Sequence, residues 1–183
     1  MNLYVLRHAS AGTRRANPLI DVKRPLDKEG KQQCILVATC LNALNAQFDC
    51  IVSSPLKRAL QTASLVGMEI GYEAKIQISP ALAPAGSVAD FQQLVSEISG
   101  YENVLVVGHN PNLQLFLSSM LAPAASAAEM KPQFANIRLR KGALARVDCV
   151  RRPATLNWLL DARVLRAFYS SVTRSSRRKT SKK

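Results

Sequence analysis

Leu3-Tyr4-Val5-Leu6-Arg7-His8-Ala9-Ser10 is an apolar run short enough for one buried strand, ending abruptly in a guanidinium and an imidazole. A second run of the same kind, Val104-Leu105-Val106-Val107-Gly108, ends in His109. These are the two histidines of the 183-residue chain. Short continuous apolar runs bounded by turn signals read as fully buried strands. In open α/β sheets, ligands bind beyond the carboxyl ends of the strands. A chain with both histidines at such ends reads as an enzyme with one imidazole-lined site.

Outward from these strands, Cys50-Ile51-Val52 reads as a further short strand, followed by Ser53-Ser54-Pro55. Serine at an N-cap and proline at the first helical position predict a helix with Lys57 and Arg58 in its first turn. Asn110-Pro111 repeats that signal ahead of a helix expected over residues 112–121. Residues 9–25 hold Gly12, Pro18 and Pro25 with no sustained period and read as a long, functional loop. Asp27 is expected to cap a helix reaching about Ala46, with Cys34, Val37, Ala38, Leu41 and Leu44 on one face. Lys75 to Ile78 reads as a third strand, and Ser87 as the cap of a helix from Val88.

Further on, residues 122–128 read as a small-residue linker. Ile137–Arg140 and Ala143–Cys149 are expected to pair as a hairpin around Lys141-Gly142. The domain is expected to span residues 1–169, its last ordered piece running from Thr155 to Tyr169. Residues 170–183, with six basic and no acidic residues, are expected to form a disordered tail.

The chain length fits one domain. Composition is that of a soluble globular chain, with no apolar stretch long enough for a bilayer and no signal-peptide pattern, so the cytoplasm is the expected compartment. Cys34, Cys40, Cys50 and Cys149 form no C-x-x-C pair and read as unpaired thiols. The net charge is +13, but residues 1–130 hold 10 basic against 10 acidic residues and residues 131–183 hold 15 against 2. Basicity therefore concerns the C-terminal quarter. No nucleic-acid motif accompanies it, and a binding protein for nucleic acid or an anionic surface is the reading furthest from the remaining signals.

Arg7, His8, Arg58 and His109 all fall at strand ends, and parallel neighbouring strands would bring them into one crevice. Paired guanidiniums recognise phosphate oxygens bidentately. A neutral imidazole is a competent nucleophile towards phosphorus, and the arginines with a protonated second histidine can stabilise the transferring phosphoryl group. The implied occupant is a phosphate.

These residues resemble those of the histidine phosphatase superfamily, which includes phosphoglycerate mutases and acid phosphatases. Leu6-Arg7-His8-Ala9 is similar to its R-H-G/A signature, and Ser53-Ser54-Pro55-Leu56-Lys57-Arg58-Ala59-Leu60-Gln61-Thr62 to its S-S-P-x-x-R-A-x-Q-T block. Gly108-His109-Asn110-Pro111 resembles the third block. Chain length and Arg24-Pro25-Leu26 near Gly30 resemble the small SixA-type phosphohistidine phosphatases. The resemblance implies an α/β fold, a phosphoglycerate mutase-like three-layer α/β/α sandwich around a mostly parallel central sheet. It also implies His8 as the phosphorylated nucleophile and Arg7, Arg58 and His109 as the phosphate pocket, with no metal or other cofactor.

One departure bears on the substrate. Many members of this family carry a glutamate proton donor in a P-E-L-like context, where this chain has Pro80-Ala81-Leu82. Asp90, the nearest carboxylate downstream, reads as a cap partner of Ser87. An alkoxide leaves poorly without an acid, whereas imidazole titrates near neutrality. The expected substrate is therefore phosphohistidine on a protein domain. A small phosphorylated substrate, turned over by a broader phosphomonoesterase or mutase of the same family, is the alternative. The lack of any long insertion that could enclose a small metabolite also favours a phosphorylated side chain on a protein surface.

Overall fold

The computed structural model describes residues 1–122 and 136–180. In chain order it contains β1 (Asn2–Arg7), α1 (Pro18–Val22), α2 (Lys28–Ala43), β2 (Cys50–Ser53), α3 (Lys57–Glu69), β3 (Gln77–Ile78) and a 3-10 turn (Pro80–Leu82). There follow α4 (Val88–Glu97), β4 (Asn103–Gly108), α5 (Asn112–Leu121), β5 (Leu144–Asp148), β6 (Thr155–Leu160) and α6 (Ala162–Thr180). The sheet has the order β3-β2-β4-β1-β5-β6. β1, β2, β3 and β4 run parallel, while β5 is antiparallel to both neighbours.

The alternation of side chains along a strand divides the core in two. Leu3 and Val5 of β1, with Val52, Val104 and Val106, face α4 and α5 through Phe91, Leu94, Leu113, Phe116 and Leu117. The Phe91 and Phe116 rings stack there at 4.3 Å. Tyr4 and Leu6, with Ile51, Leu105 and Val107, face Cys34, Val37 and Leu41 of α2 and Ala59, Ala63 and Val66 of α3. Leu165 of α6 packs against this second cluster. The result is the expected three-layer α/β/α sandwich. Strands covered on both sides explain why β1 and β4 are apolar at every interior position.

Several local expectations are corrected. Residues 9–25 are not loop throughout, because Asn17 accepts from the Leu19 amide and caps α1, with Pro18 in its first turn. α2 ends at Ala43, so Leu44 is exposed instead of lying on the buried face. β3 is limited to Gln77–Ile78. α3 starts two residues beyond Pro55, with Leu56 as an N-cap that makes no side-chain bond. Ser54 lies two residues before that cap, its amide on the Val107 carbonyl and its Oγ 2.8 Å from His109 Nε2. At α5 the cap position is Pro111, since Asn110 donates its side chain to the Leu139 carbonyl.

The hairpin is displaced as well. β5 pairs with β6 and β1, not with residues 137–140, because the carbonyls of Ile137 and Leu139 are taken by the side chains of Gln114, Arg7 and Asn110. Disorder from residue 170 does not hold through Thr180, where α6 ends. No glycine or proline interrupts residues 162–180. The expected linker lies outside the described residues from 123 onward, as do residues 181–183. All four cysteines are free. Among the described residues no helix is long and apolar enough to cross a membrane.

Asp27 joins helix to loop. Its carboxylate caps α2 by accepting from the Gly30 amide and also accepts from Ser10 Oγ and the Gly12 amide. Burial opposes the charge, yet these donors hold the Asp27 carboxyl below its ordinary value. The first turn of α2 can approach so closely only because residue 30 is glycine, where a Cβ would overlap the Ser10 carbonyl. Gly30→Ala should therefore lower stability by about 3 kcal/mol, measured as a lower urea midpoint with an unchanged slope.

Candidate active site

β2, β4 and β1 are neighbours, and the chain leaves their carboxyl edge in three adjoining loops. Arg7 is level with Gly108 across β1 and β4, so the next residues, His8 and His109, emerge side by side. Their ring centroids are 4.9 Å apart at 51°. Both are buried, with 6% and 2% exposure. Gly142, at φ 70°, turns beneath them and donates its amide to the Arg7 and His8 carbonyls.

His8 Nδ1 lies 2.8 Å from the Ala9 carbonyl oxygen. A carbonyl only accepts, so Nδ1 holds the ring proton and Nε2 is left with the lone pair. Burial pushes the His8 pKa down to about 3; the Ala9 contact opposes this, and Arg58, Arg7 and Lys141 add repulsion. The ring is neutral at physiological pH.

His109 Nε2 lies 2.8 Å from Ser54 Oγ. That oxygen also accepts from the Leu56 amide at 3.3 Å, so Ser54 holds the His109 ring from its Nε2 side. His109 Nδ1 is buried without a hydrogen-bond partner. Burial first, then repulsion from His8, Arg58, Arg7 and Arg24, pushes the pKa down to about 2. A phosphoryl group beside His109 would favour its protonated form, as an opposite charge a few ångströms away does.

The structure brings both arginines to this crevice. Arg58, 6% exposed, donates through Nη1 to the Asp21 carbonyl at 3.1 Å and to Asp21 Oδ2 at 3.3 Å. Asp21 Oδ1 accepts from Arg24 Nε at 2.8 Å and from the Arg15 amide at 3.0 Å. The Arg15 amide and the Arg24 guanidinium hold the Asp21 carboxyl below its ordinary value despite opposing burial. Arg24 also ties down the loop by donating to the Ala11 and Gly12 carbonyls. Arg7 Nη1 donates to the Leu139 carbonyl at 2.9 Å. Arg7 Nε and Arg58 Nε are buried without partners. Buried unpaired donors are costly, and together with His109 Nδ1 these suit an anion with several oxygens.

Sequence reasoning missed Asp21, Ser54 as the partner of His109, and Thr62. Thr62 Oγ1 donates to the Arg58 carbonyl at 2.7 Å and accepts from the Ala9 amide at 3.1 Å, locking α3 to the residue after His8. Asn17-Pro18 was the signal for α1 and hence for Asp21. Ala81, at the place where the resemblance implies an acid, is buried. Asp90 completes a capping box, accepting from the amide and hydroxyl of Ser87. Those bonds hold its carboxyl below the ordinary value, so it carries no proton to donate near neutrality. Among the described residues no three His, Cys, Asp or Glu side chains gather as a metal site requires.

Residues 3–85 match the model of the histidine phosphatase superfamily, branch 1. The chain is 31% identical over 138 residues to the phosphohistidine phosphatase SixA of Escherichia coli, covering 73% of this chain and 80% of that protein. It is 38% identical over 116 residues to an uncharacterised protein of Picosynechococcus, covering 62% of this chain and 68% of that one. A solved protein histidine phosphatase SixA, complexed with tungstate, superposes with a TM-score of 0.70 at 27% identity, over 90% of this chain and 99% of that one. An α-ribazole-5'-P phosphatase from Escherichia coli shares the fold, with a TM-score of 0.67 at 23% identity over 88% and 98% of the chains.

The buried neutral imidazoles make stability depend on pH. Between the unfolded value of 6.5 and folded values of about 3 and 2, the unfolded chain binds more protons. Their contribution is therefore complete above pH 6.5 and is lost as pH falls. Between pH 7.5 and 4.5, the loss of unfolding free energy should be smaller by about 2 kcal/mol in His109→Gln than in the unsubstituted protein, measured by urea titration at both pH values.

Proposed function

The chain belongs to the histidine phosphatase superfamily, and on that footing we propose that it hydrolyses phosphohistidine on proteins through a covalent phospho-His8 intermediate. The observation that carries the reading is the His8 ring: buried, neutral, and held by Ala9 so that Nε2 bears the lone pair. Nε2 attacks phosphorus in line as the P–N bond to the substrate imidazole breaks. The departing imidazole takes its proton from solvent. Water then attacks the phospho-His8 phosphorus, releasing inorganic phosphate and restoring the neutral ring.

Arg7 and Arg58 hold the phosphoryl oxygens through guanidinium donors that include the unpartnered Nε atoms. His109 Nδ1 donates to a further oxygen, with Ser54 fixing the ring from the other side. These groups supply the positive charge that phosphoryl transfer requires, and we propose that the reaction proceeds without a metal ion.

The choice of substrate follows from Ala81. An ester needs its alkoxide protonated as it leaves, and neither Ala81 nor the ionised, cap-bound Asp90 can do this. A phosphoramidate leaves as an imidazole, which needs no strong acid. The relatives described above as phosphohistidine phosphatases support the same assignment.

The test is a panel of a phosphohistidine-bearing protein and sugar phosphates. Since a general acid typically contributes 10²–10⁴-fold, kcat/KM for the sugar esters should lag by about 10²-fold or more; faster turnover of the esters would overturn the assignment. His8→Ala should lose at least about 10³-fold in kcat while its circular dichroism and urea midpoint stay near those of the parent. Rapid quenching into alkali should trap an acid-labile phosphoenzyme in the parent and none in the variant.

A further inference from the structure

The basic C-terminal residues are carried on α6, whose two faces differ. Between Ala162 and Thr180 this helix holds Arg163, Arg166, Arg174, Arg177, Arg178 and Lys179 and no acidic residue. Lys182 and Lys183 follow it. Its inward face is short: Ala162 is buried, and Leu165 packs against the core cluster that holds Cys34, Val37 and Leu41 of α2. On the outward face Val164 is 48% and Phe168 67% exposed. One turn apart, these two side chains form a single apolar ridge, with exposed Arg163 beside it. The carboxylates near the first turns are already paired, Glu29 with Arg166 at 3.4 Å and Asp161 with Arg140 at 3.2 Å. No carboxylate at helical spacing within α6 offsets Arg174, Arg177, Arg178 and Lys179.

Charge and apolar exposure on one helix together define the partner. Nucleic acid would meet the cations and leave Val164 and Phe168 in water. An anionic lipid surface meets both, with headgroup phosphates for the basic residues and acyl chains beneath for the ridge. A basic helix with exposed aliphatic and aromatic side chains lies in the plane of such a surface. It does not cross it, and among the described residues no helix is long and apolar enough to do so. We infer that α6 is a peripheral anchor for membranes that carry anionic phospholipid. Val164 and Phe168 enter the headgroup boundary, and the basic residues of the helix bind lipid phosphates. This role does not rest on the phosphohistidine reading, since α6 contributes none of the groups assigned to the phosphoryl site.

The experiment is cosedimentation of the full chain with vesicles of phosphatidylcholine alone and of phosphatidylcholine mixed with phosphatidylglycerol. The mixed vesicles should hold the protein at least about tenfold more tightly, and high salt should remove that preference. In the Val164→Ser, Phe168→Ser double variant, affinity for the mixed vesicles should fall by about tenfold or more. Replacing Arg174, Arg177, Arg178 and Lys179 with glutamine should lower it by about 10²-fold or more. An unchanged urea midpoint checks that each variant is folded. Equal binding of the parent to neutral and mixed vesicles, or binding to neither, would overturn the anchor without any use of a variant. Undiminished binding by the folded serine variant would overturn it too. So would a tighter affinity for duplex DNA than for the mixed vesicles, which would give α6 to nucleic acid instead. Each of these outcomes leaves the substrate assignment intact.

Discussion

The parallel ladder between β1 and β4 is the constraint on which the site depends. With Leu3 level with Val104 and Arg7 level with Gly108, residues separated by 101 positions become immediate neighbours. A slip of one residue would carry the apolar set of β1 to the opposite layer, so the two buried clusters jointly defend the register. Gly108 contributes locally, because a Cβ there would press on the Leu82 carbonyl and the Leu113 side chain. Core packing and site geometry are thus one specification: the forces that bury Leu3 and Val104 also set the spacing of the imidazoles.

The crevice at that edge concentrates positive charge in a poorly solvated place. Two guanidiniums and two imidazoles share it, and Asp21 is the carboxylate bonded to Arg58. The fold tolerates this by keeping both rings neutral and by directing Arg7 and Arg58 onto backbone carbonyls. An arginine in the second position of α3 also sits at the positive end of a helix. The local electrostatics therefore disfavour Arg58 where packing confines it, and an anion of two or more oxygens relieves the conflict.

Most of the layered architecture was legible because continuously apolar runs have few alternatives in a protein this size. Val104–Gly108 and Leu3–Arg7 had to be interior strands, and the His8 and His109 positions followed from their ends. Local punctuation was less reliable. The Ser-Pro and Asn-Pro pairs at 54–55 and 110–111 carry a helix-start pattern, yet tertiary demands claimed Ser54 for His109 and Asn110 for Leu139. Asn17-Pro18, where the pattern does operate, precedes a helix too short to show periodicity, so Asp21 stayed hidden. Residues 137–140 look like a strand in sequence because side-chain spacing cannot reveal that Gln114, Arg7 and Asn110 occupy their carbonyls.

The bond from His8 to its neighbour's carbonyl also constrains the fate of the phosphorus atom. With Nδ1 committed to Ala9, the proposed P–N linkage can form at one ring nitrogen only, giving a single regioisomer of phosphohistidine on the enzyme. Attack and release then take place on the same side of a ring that does not rotate between the two steps. Each in-line displacement inverts phosphorus, and a pair of them restores it. A substrate made chiral with oxygen isotopes and sulfur would consequently yield thiophosphate of retained configuration, the signature of a paired displacement through the ring that Ala9 holds.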